Sequence, residues 1–155
     1  GGAVAQRAFL TGGVNMTEAN RALALRWFDE VWNQRMEGTV DELLAPGSIG
    51  HMEGDENCPA ERFKVVRATF LSAMPDLRLE VEDTVAEGDN VVVRWRLTGT
   101  HSGNGLDIPP TQTRVDLRGM TWHKIVDGRI VEGWDSWNSG ALMETLRTEA
   151  RRQGA

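Results

Sequence analysis

The chain has the sequence GRIVEGWDSWN at residues 128–138. This pattern predicts a turn followed by a strand that carries one carboxylate, Asp135, between Trp134 and Trp137. A carboxylate among large apolar side chains loses hydration, so its pKa rises toward the range that suits proton transfer. We therefore predict a cofactor-free acid/base site at Asp135. A solvated strand aspartate, or one that caps the following helix, is the equally open alternative from this stretch alone.

The rest of the chain changes its hydrophobic period halfway along. The first half has apolar residues at helical spacing and predicts three helices, over residues 17–34, 39–45 and 59–74, with a short extended piece over 48–53. The second half alternates apolar and polar residues and predicts four strands, over 77–82, 91–98, 113–126 and 129–137, before a last helix over 141–151. Helices followed by antiparallel strands predict an α+β fold.

Local signals place several helix ends. Thr17 is a predicted N-cap, and the Thr39–Glu42 segment matches a capping box that opens the second helix. Pro46–Gly47 is predicted to end that helix. Pro59 suits the first turn of the third helix.

Length and composition limit the class of protein. With 155 residues the chain predicts one domain, over residues 17–152, after a Gly/Ala-rich disordered leader over residues 1–16. The net charge of -6 argues against nucleic-acid binding, because phosphate contacts need a basic face. No apolar run reaches the roughly 20 residues of a membrane helix. One cysteine and three histidines argue against a zinc site, and the lone Cys58 suits a reducing, cytoplasmic location.

Six tryptophans and four phenylalanines are spread over both halves of the chain, which has no tyrosine. Several of these aromatic side chains should meet where the helices cover the sheet. They either fill the core or, with interleaved histidines and an aspartate, form the walls of an apolar pocket for a small molecule. The absence of tyrosine excludes any mechanism that needs a phenol donor.

Several motifs follow one another in a recognisable order: Glu87-Gly88-Asp89 before a valine-rich strand, Gly99-Thr100-His101-Ser102-Gly103, Ile108-Pro109-Pro110-Thr111, and residues 128–135. In this order they resemble the SnoaL-like polyketide cyclase family of the NTF2-like superfamily. The resemblance implies a cone-shaped barrel in which a curved, antiparallel or mixed sheet wraps around helices and encloses an apolar pocket. It also implies a homodimer formed through the sheet. The superfamily hosts isomerases, dehydratases, cyclases and non-catalytic members, so the resemblance alone leaves the reaction open.

In the cyclases of that family, the aspartate of a His-Trp-Asp tripeptide on the last strand is the acid/base, and it corresponds to Asp135. The tripeptide's histidine falls on Gly133, where this chain departs from the pattern. A histidine on the preceding strand is also used in such cyclases, and His123 is the nearest candidate. A third histidine, His51, lies on the extended piece that lines the cavity in similar proteins.

The register of the last hairpin decides whether His123 can serve. With a two-residue turn at Asp127–Gly128, Val126 would pair with Arg129, and His123 would point away from Asp135. With a three-residue loop, His123 would share the face of Asp135, and this second register is the one we predict. The predicted catalytic residues are Asp135, His123 and His51. The predicted substrate-binding residues are Trp27, Phe28, Met52, Phe63, Trp95, His101, Trp122 and Trp137.

These expectations describe a cofactor-independent enzyme for an apolar, carbonyl-containing substrate of polyketide or steroid type, acting as an ester cyclase, aldol cyclase or isomerase. Asp135 would remove a proton next to the carbonyl group, and nearby histidine or tryptophan donors would stabilise the oxyanion. The alternative is a non-catalytic protein that binds an apolar small molecule in the same pocket. The absence of the tripeptide histidine at Gly133 supports that alternative.

Overall fold

A six-stranded curved sheet forms the centre of the fold. The computed structural model describes residues 16–154, so residues 1–15 of the predicted leader lie outside the described residues. The strands are β1 (Leu44–Met52), β2 (Asp55–Cys58), β3 (Arg78–Glu87), β4 (Asn90–Thr100), β5 (Arg114–Val126) and β6 (Arg129–Trp137). Their order is β2-β1-β6-β5-β4-β3, with β1 and β6 parallel and the other neighbours antiparallel. The sheet is therefore mixed and open, with β2 and β3 at its edges.

Four helices accompany the sheet in the described part of the chain. Helix α1 has α-helical turns over 16–26 and π-helical turns over Trp27–Asn33. The others are α2 (Gly38–Leu43), α3 (Ala60–Ala73) and α4 (Ser139–Arg152). Apolar side chains of α1 and α4 join those of β3, β4 and β5 in one core. No helix among residues 16–154 is long and apolar enough to cross a bilayer. The predicted α+β fold is confirmed.

Two polar side chains attach the C-terminal end of α1 to its neighbours. Arg67 on α3 is buried and donates from Nε to the Val31 carbonyl at 2.9 Å, which satisfies one of the helix's last carbonyls. The Asn33 amide donates to the Leu79 carbonyl at 2.8 Å and accepts from the Leu79 N–H at 2.9 Å. Asn33 thus takes the place of a neighbouring strand at the edge of β3 and holds α1 against the sheet.

The segment after α2 differs from the prediction. Helix α2 ends at Leu43, and β1 continues through Pro46–Gly47, which were expected to stop a helix. The pairing of β1 with β6 is irregular between Leu44 and Ile49, and Gly47 has φ +75°. This irregular part of the ladder accommodates a proline, which has no N–H to donate, within a strand. The short edge strand β2 was not predicted.

Three predicted helix ends are also corrected. Residue 16 is already helical, so Thr17 is not an N-cap. Helix α2 begins at Gly38, and the Thr39 hydroxyl donates to Glu30 of α1 at 2.9 Å instead of capping its own helix. Pro59 lies at the N-cap position of α3, one residue before the first turn. Thr39 therefore has a tertiary partner on α1 in place of its capping role, and Pro59 stands one position earlier than predicted.

Candidate active site

The turn between β5 and β6 has two residues. Val126 pairs with Arg129, and both turn residues have positive φ, +51° at Asp127 and +73° at Gly128. These values belong to a type I′ turn, whose twist matches that of the strands it joins. The predicted three-residue loop is therefore wrong.

The face predicted for His123 is nevertheless the observed one, because β6 contains a bulge. Val131 is an extra residue in β6 without a partner in β5, so the pairing shifts by one position beyond it. His123 then pairs with Gly133, and Thr121 pairs with Asp135. The bulge restores the side-chain alternation that the two-residue turn would otherwise have reversed.

A cavity lies between this face of the sheet and helices α1 and α3. About 950 Å³ of space free of protein atoms lies in the cavity and in the open solvent at its mouth, taken together. Six of the predicted substrate-binding residues line it: Trp27, Phe28, Met52, Phe63, Trp95 and Trp137. Asp135, His123 and Thr121 are polar groups in an otherwise largely apolar wall. Apolar walls with a few converging polar groups are typical of small-molecule sites.

Asp135 is held by a chain of two hydrogen bonds. The Trp95 indole N–H donates to the Thr121 hydroxyl at 2.9 Å, and that hydroxyl donates to Asp135 Oδ1 at 2.5 Å. Loss of hydration in the cavity raises the pKa of Asp135 to about 6, against the lowering effect of the Thr121 hydrogen bond and with a raising effect of the Glu53 charge. A carboxyl group with this pKa can both accept and return a proton near neutral pH.

Glu53 lies between β1 and β2, close to the end of β6. Its Oε1 accepts from the Trp137 backbone N–H at 3.4 Å, and its negative charge disfavours the ionised form of Asp135. Glu56, also between Met52 and Cys58, points to His51 instead, with 3.5 Å between His51 Nδ1 and Glu56 Oε2. The two glutamates therefore form a matched pair for substitution.

We expect Glu53→Gln to lower the pKa of Asp135, because the substitution removes a like charge without changing the shape of the side chain. The measurement is a carboxyl-carbon NMR titration of Asp135. Glu56→Gln is the control and should leave that titration unchanged. Equal shifts in both variants, or none in Glu53→Gln, would show that Glu53 does not act on Asp135.

His123 is a buried, uncharged imidazole. Only 5% of its surface is exposed, and burial lowers its pKa to about 4. Its ring lies 5.7 Å from that of Trp27 and 6.1 Å from that of Phe28, and its Nδ1 has no hydrogen-bond partner. The Cδ2–Nε2 edge of the ring lies over Gly133. At neutral pH this side chain can donate or accept a hydrogen bond, but it carries no charge.

The π-helical part of α1 places two tryptophans in the same wall. In an α-helix, a residue five positions further on lies about 140° around the axis. The i→i+5 hydrogen bonds of a π-helix bring such residues close to the same side. Trp27 and Trp32 consequently both contact Phe63, with ring centroids 5.2 and 6.0 Å apart. Both tryptophans line the cavity.

Two predicted site residues, His51 and Trp122, lie on the opposite face of the sheet from the cavity. His51 pairs with Trp134 across β1 and β6, and Trp134 pairs with Trp122 across β6 and β5. The His51 ring stacks on Trp134 at 5.4 Å, and its Nε2 lies 3.4 Å from Glu132. The structure therefore does not bring His51 or Trp122 together with Asp135.

His101 is fully buried and belongs to the base of the loop that joins β4 and β5. Its Nδ1 lies 2.9 Å from the Thr111 hydroxyl, and its backbone N–H donates to the Thr113 carbonyl. The loop packs on α3, where the Gly103 N–H donates to the Ala73 carbonyl. His101 holds this loop closed and does not line the cavity, although it was predicted as a substrate-binding residue.

Four residues in or next to the cavity wall are not among the predicted site residues: Thr121, Trp32, Cys58 and Glu53. The alternation of β5 could have indicated Thr121, because it stands two residues before His123. Nothing in the local pattern marks Trp32, which depends on the π-helix, or Glu53, which depends on the unpredicted strand β2. Among residues 16–154, no group of three or more His, Cys, Asp or Glu side chains could hold a metal ion.

Fold and cavity together define a class: NTF2-like α+β proteins in which a bent sheet and its helices enclose an apolar chamber. The family model of the SnoaL-like polyketide cyclases matches residues 22–146. The chain belongs to this family. Comparison with curated proteins gave no match.

Solved structures similar to this chain come from several bacteria. A protein from Jannaschia sp. CCS1, assigned as a SnoaL-like polyketide cyclase, is 29% identical with a TM-score of 0.77 over 84% of this chain and 92% of its own. AclR from Streptomyces galilaeus, assigned as a hydroxylase, is 28% identical with a TM-score of 0.75 over 85% and 98%. IdmH from Streptomyces antibioticus, assigned as a polyketide cyclase, is 26% identical with a TM-score of 0.73 over 82% and 97%.

Proposed function

We propose that this protein is an enzyme that removes a proton from the carbon next to a carbonyl group of an apolar substrate, with Asp135 as the base. The observation that carries the proposal is the Asp135 carboxyl on the wall of an apolar cavity, with its pKa raised to about 6. Family membership supports a cyclase reaction, because relatives in this family are assigned as polyketide cyclases. The chain's own residues supply a base, a donor and an apolar enclosure, so the proposed step needs no cofactor.

The proposed reaction begins when an Asp135 oxygen takes the proton and the C–H electron pair forms an enolate. The negative charge then develops on the substrate oxygen, which needs a hydrogen-bond donor. Trp95 cannot be that donor, because its N–H is already donated to Thr121. The neutral imidazole of His123 is another ring donor on the same face of the sheet, and we assign the oxyanion to its Nε2–H.

The enolate carbon then attacks a second carbonyl group, that of a ketone or aldehyde in the same molecule, as in an aldol cyclisation. A carbon–carbon bond forms and the second carbonyl becomes an alkoxide. Asp135, now protonated, returns its proton to that alkoxide and regains its starting state. In an isomerisation, the same proton would instead return to a different carbon. Both versions use one acid/base group in two steps.

Deuterium exchange tests the proposal. Steroid ketones and anthraquinones that bear an acetyl side chain, both of which have a C–H bond next to a carbonyl group, are first screened for binding by thermal shift, and each hit is then incubated with the protein in D₂O. We expect the wild-type protein to exchange the hydrogen next to the carbonyl group faster than buffer does, and Asp135→Asn to bind the same hit without exchange. If both bind the hit and neither exchanges, the protein is a non-catalytic binding protein. Gly133, which stands in place of the cyclase histidine, is the feature that favours this second function.

We also propose a homodimer formed through the outer face of the sheet. One row of paired residues crosses five strands there: Val85, Val92, Trp122, Trp134 and His51. Trp122 is 47% exposed and the nearby Met120 is 51% exposed, which is unusual for large apolar side chains of one surface.

The dimer proposal predicts that Trp122→Glu gives a monomer in sedimentation equilibrium while the wild-type protein is a dimer. Val65→Glu is the matched control, because Val65 is an exposed apolar residue on α3. A monomeric wild-type protein, or a dimer that survives Trp122→Glu, would contradict the proposal.

A further inference from the structure

A second pocket adjoins the cavity at the N-terminal end of α3. It is lined by Pro59, Ala60 and Glu61 at that end, by Ser48 of β1 and by Arg129 of β6, among others. Ser48 and Ala60 also line the cavity. The two spaces therefore share a wall, at the place where β1 loses its regular pairing with β6.

The N-terminal end of α3 brings unpaired backbone donors to the second pocket. The first hydrogen bond of this helix runs from the Phe63 N–H to the Pro59 carbonyl at 3.0 Å. Pro59 is the N-cap residue, and no side chain caps the helix. The N–H groups of Ala60, Glu61 and Arg62 therefore have no partner among residues 16–154. A helix end of this kind carries roughly half a positive charge and attracts anions.

Two side chains add further donors to the second pocket. Ser48 is 8% exposed, yet its hydroxyl has no hydrogen-bond partner in the described part of the chain. The side-chain polar atoms that are fully enclosed there without a partner are His101 Nε2 and His123 Nδ1, so the Ser48 hydroxyl borders open space. Arg129 makes neither an ion pair nor a side-chain hydrogen bond with any described residue. A buried hydroxyl without a partner costs free energy that a bound acceptor would recover.

The acidic side chains at the second pocket are already paired. Asp41 Oδ1 and Glu61 Oε1 lie 2.8 and 3.3 Å from Lys64 Nζ, and the two acids are 61% and 84% exposed. Together with Arg129, these two acids and two bases have no net formal charge. The partial positive charge of the α3 end is left uncompensated, which suits a singly charged anion better than a doubly charged phosphate.

We infer that the second pocket is a binding site for a carboxylate, held by Arg129, the Ser48 hydroxyl and the N–H groups in the first turn of α3. All three supply hydrogen-bond donors, so the complementary group is an acceptor, and a carboxylate only accepts. It reaches the pocket on a free small acid or at the end of a molecule whose apolar part lies in the adjoining cavity. The site does not involve Asp135, so the inference goes beyond the proposed function.

An NMR titration with sodium acetate at pH 7 and constant ionic strength tests the site. We expect saturable shifts of the backbone N–H signals of Ala60, Glu61 and Arg62. Arg129→Gln should weaken acetate binding at least about fivefold, because it replaces charge-assisted hydrogen bonds by neutral ones. Arg129→Lys keeps the charge and should recover part of the loss. Arg78→Gln is the matched control, since Arg78 also lacks an ion pair among residues 16–154 and lies on β3 at the opposite edge of the sheet from β2.

Ser48→Ala removes one donor from the buried end of the second pocket and should weaken acetate binding by about threefold. Sodium octanoate separates the two sources of the carboxylate. A chain that enters the cavity would make octanoate bind more tightly than acetate and would also shift the indole N–H signal of Trp95, which lines the cavity. A site for free small acids would leave that indole signal in place.

Two results would overturn the inference: no saturable shift of the first-turn N–H signals of α3 with either acid, or equal losses of binding in Arg129→Gln and Arg78→Gln. Equal losses would mean that the acid responds only to the net charge of the protein. Both results are independent of the deuterium exchange measured for Asp135→Asn. The carboxylate site and the proposed function can therefore fail separately.

Discussion

Asp135→Asn is expected to lower the rate of proton exchange by about 10³-fold, within the range that a positioned general base contributes. The Asn amide can still accept the Thr121 hydrogen bond that now reaches Asp135 Oδ1 at 2.5 Å, so the position of the side chain is retained while its basicity is lost. Substrate affinity should change little, because the cavity wall is unaltered. The measurement is the exchange rate in D₂O at saturating ligand. An undiminished rate would show that another group is the base.

The same substitution is expected to stabilise the fold at pH 7.5. The pKa of Asp135 is about 6 in the folded protein and 3.8 as its ordinary value. The folded state therefore holds this proton more tightly, and stability is lost as pH rises from about 4 through 6. At about 1.4 kcal/mol per pKa unit, the loss above pH 7 is at most about 3 kcal/mol, and an uncharged Asn avoids it. We expect the gain in unfolding free energy to be largest at pH 7.5 and to shrink toward pH 4.

Urea denaturation at several pH values measures this gain. Asp127→Asn is the matched control, since it removes an exposed aspartate from the turn of the same hairpin. A variant Asp135→Asn that is less stable than wild type at pH 7.5 would mean that the ionised carboxylate stabilises the fold. Gain of stability together with loss of activity is the expected behaviour of a group that is strained for function.

His123→Gln is expected to make the free energy of unfolding depend on pH between about pH 4 and 6, where that of the wild-type protein stays nearly constant. Burial lowers the pKa of His123 from 6.5 to about 4, so the unfolded chain binds a proton that the folded protein rejects. The titration of His123, taken alone, therefore lowers the free energy of unfolding as the pH falls from 6.5 through 4. Asp135 has the opposite sign over nearly the same range, because its proton is held by the folded state. Between about pH 4 and 6 the contributions of His123 and Asp135 to the pH dependence of stability cancel. The unfolding free energy of the wild-type protein therefore shows neither of them.

Each single variant removes one of the two titrating groups, so the pH dependence caused by the other group becomes measurable. Relative to wild type, Asp135→Asn should become less stable as pH falls below 6.5, and His123→Gln should become less stable as pH rises from 4 to 6. One proton corresponds to a slope of about 1.4 kcal/mol per pH unit, so the two variants should differ in slope by up to about 2.7 kcal/mol per pH unit near pH 5. Urea unfolding of wild type, both single variants and the double variant checks this. Curves parallel to wild type would show that the two groups do not titrate as their burial implies.

Much of the fold could be predicted from local pattern. The bounds of β6 match the prediction over residues 129–137, and the alternation of β4 and β5 was evident along the chain. The helical spacing of apolar residues predicted that Trp27, Phe28 and Phe63 lie on the inner faces of their helices, and all three line the cavity. These elements are long and strongly periodic, and such patterns are the most dependable part of a sequence.

The arrangement of the histidines could not be obtained in the same way. The turn at Asp127–Gly128 was predicted with the wrong length, yet His123 faces the cavity because Val131 forms a bulge. No local pattern distinguishes Val131 from an ordinary strand residue. His51 was placed in the site by resemblance, but its pairing with Trp134 puts it on the outer face. A single unpaired residue or a change of register reverses the face of every later side chain.

The amino-acid sequence by itself determined the elements, the apolar character of their faces and the isolation of one acid, Asp135, between two tryptophans, because these depend on neighbours along the chain. Only the tertiary structure decided which side chains meet Asp135. The bulge in β6 brought His123 and Thr121 to it, and the π-helix brought Trp32 into the cavity wall. The raised pKa of the acid belongs to this second group too, since loss of hydration depends on all the atoms that surround a carboxyl group and not on its place in the chain.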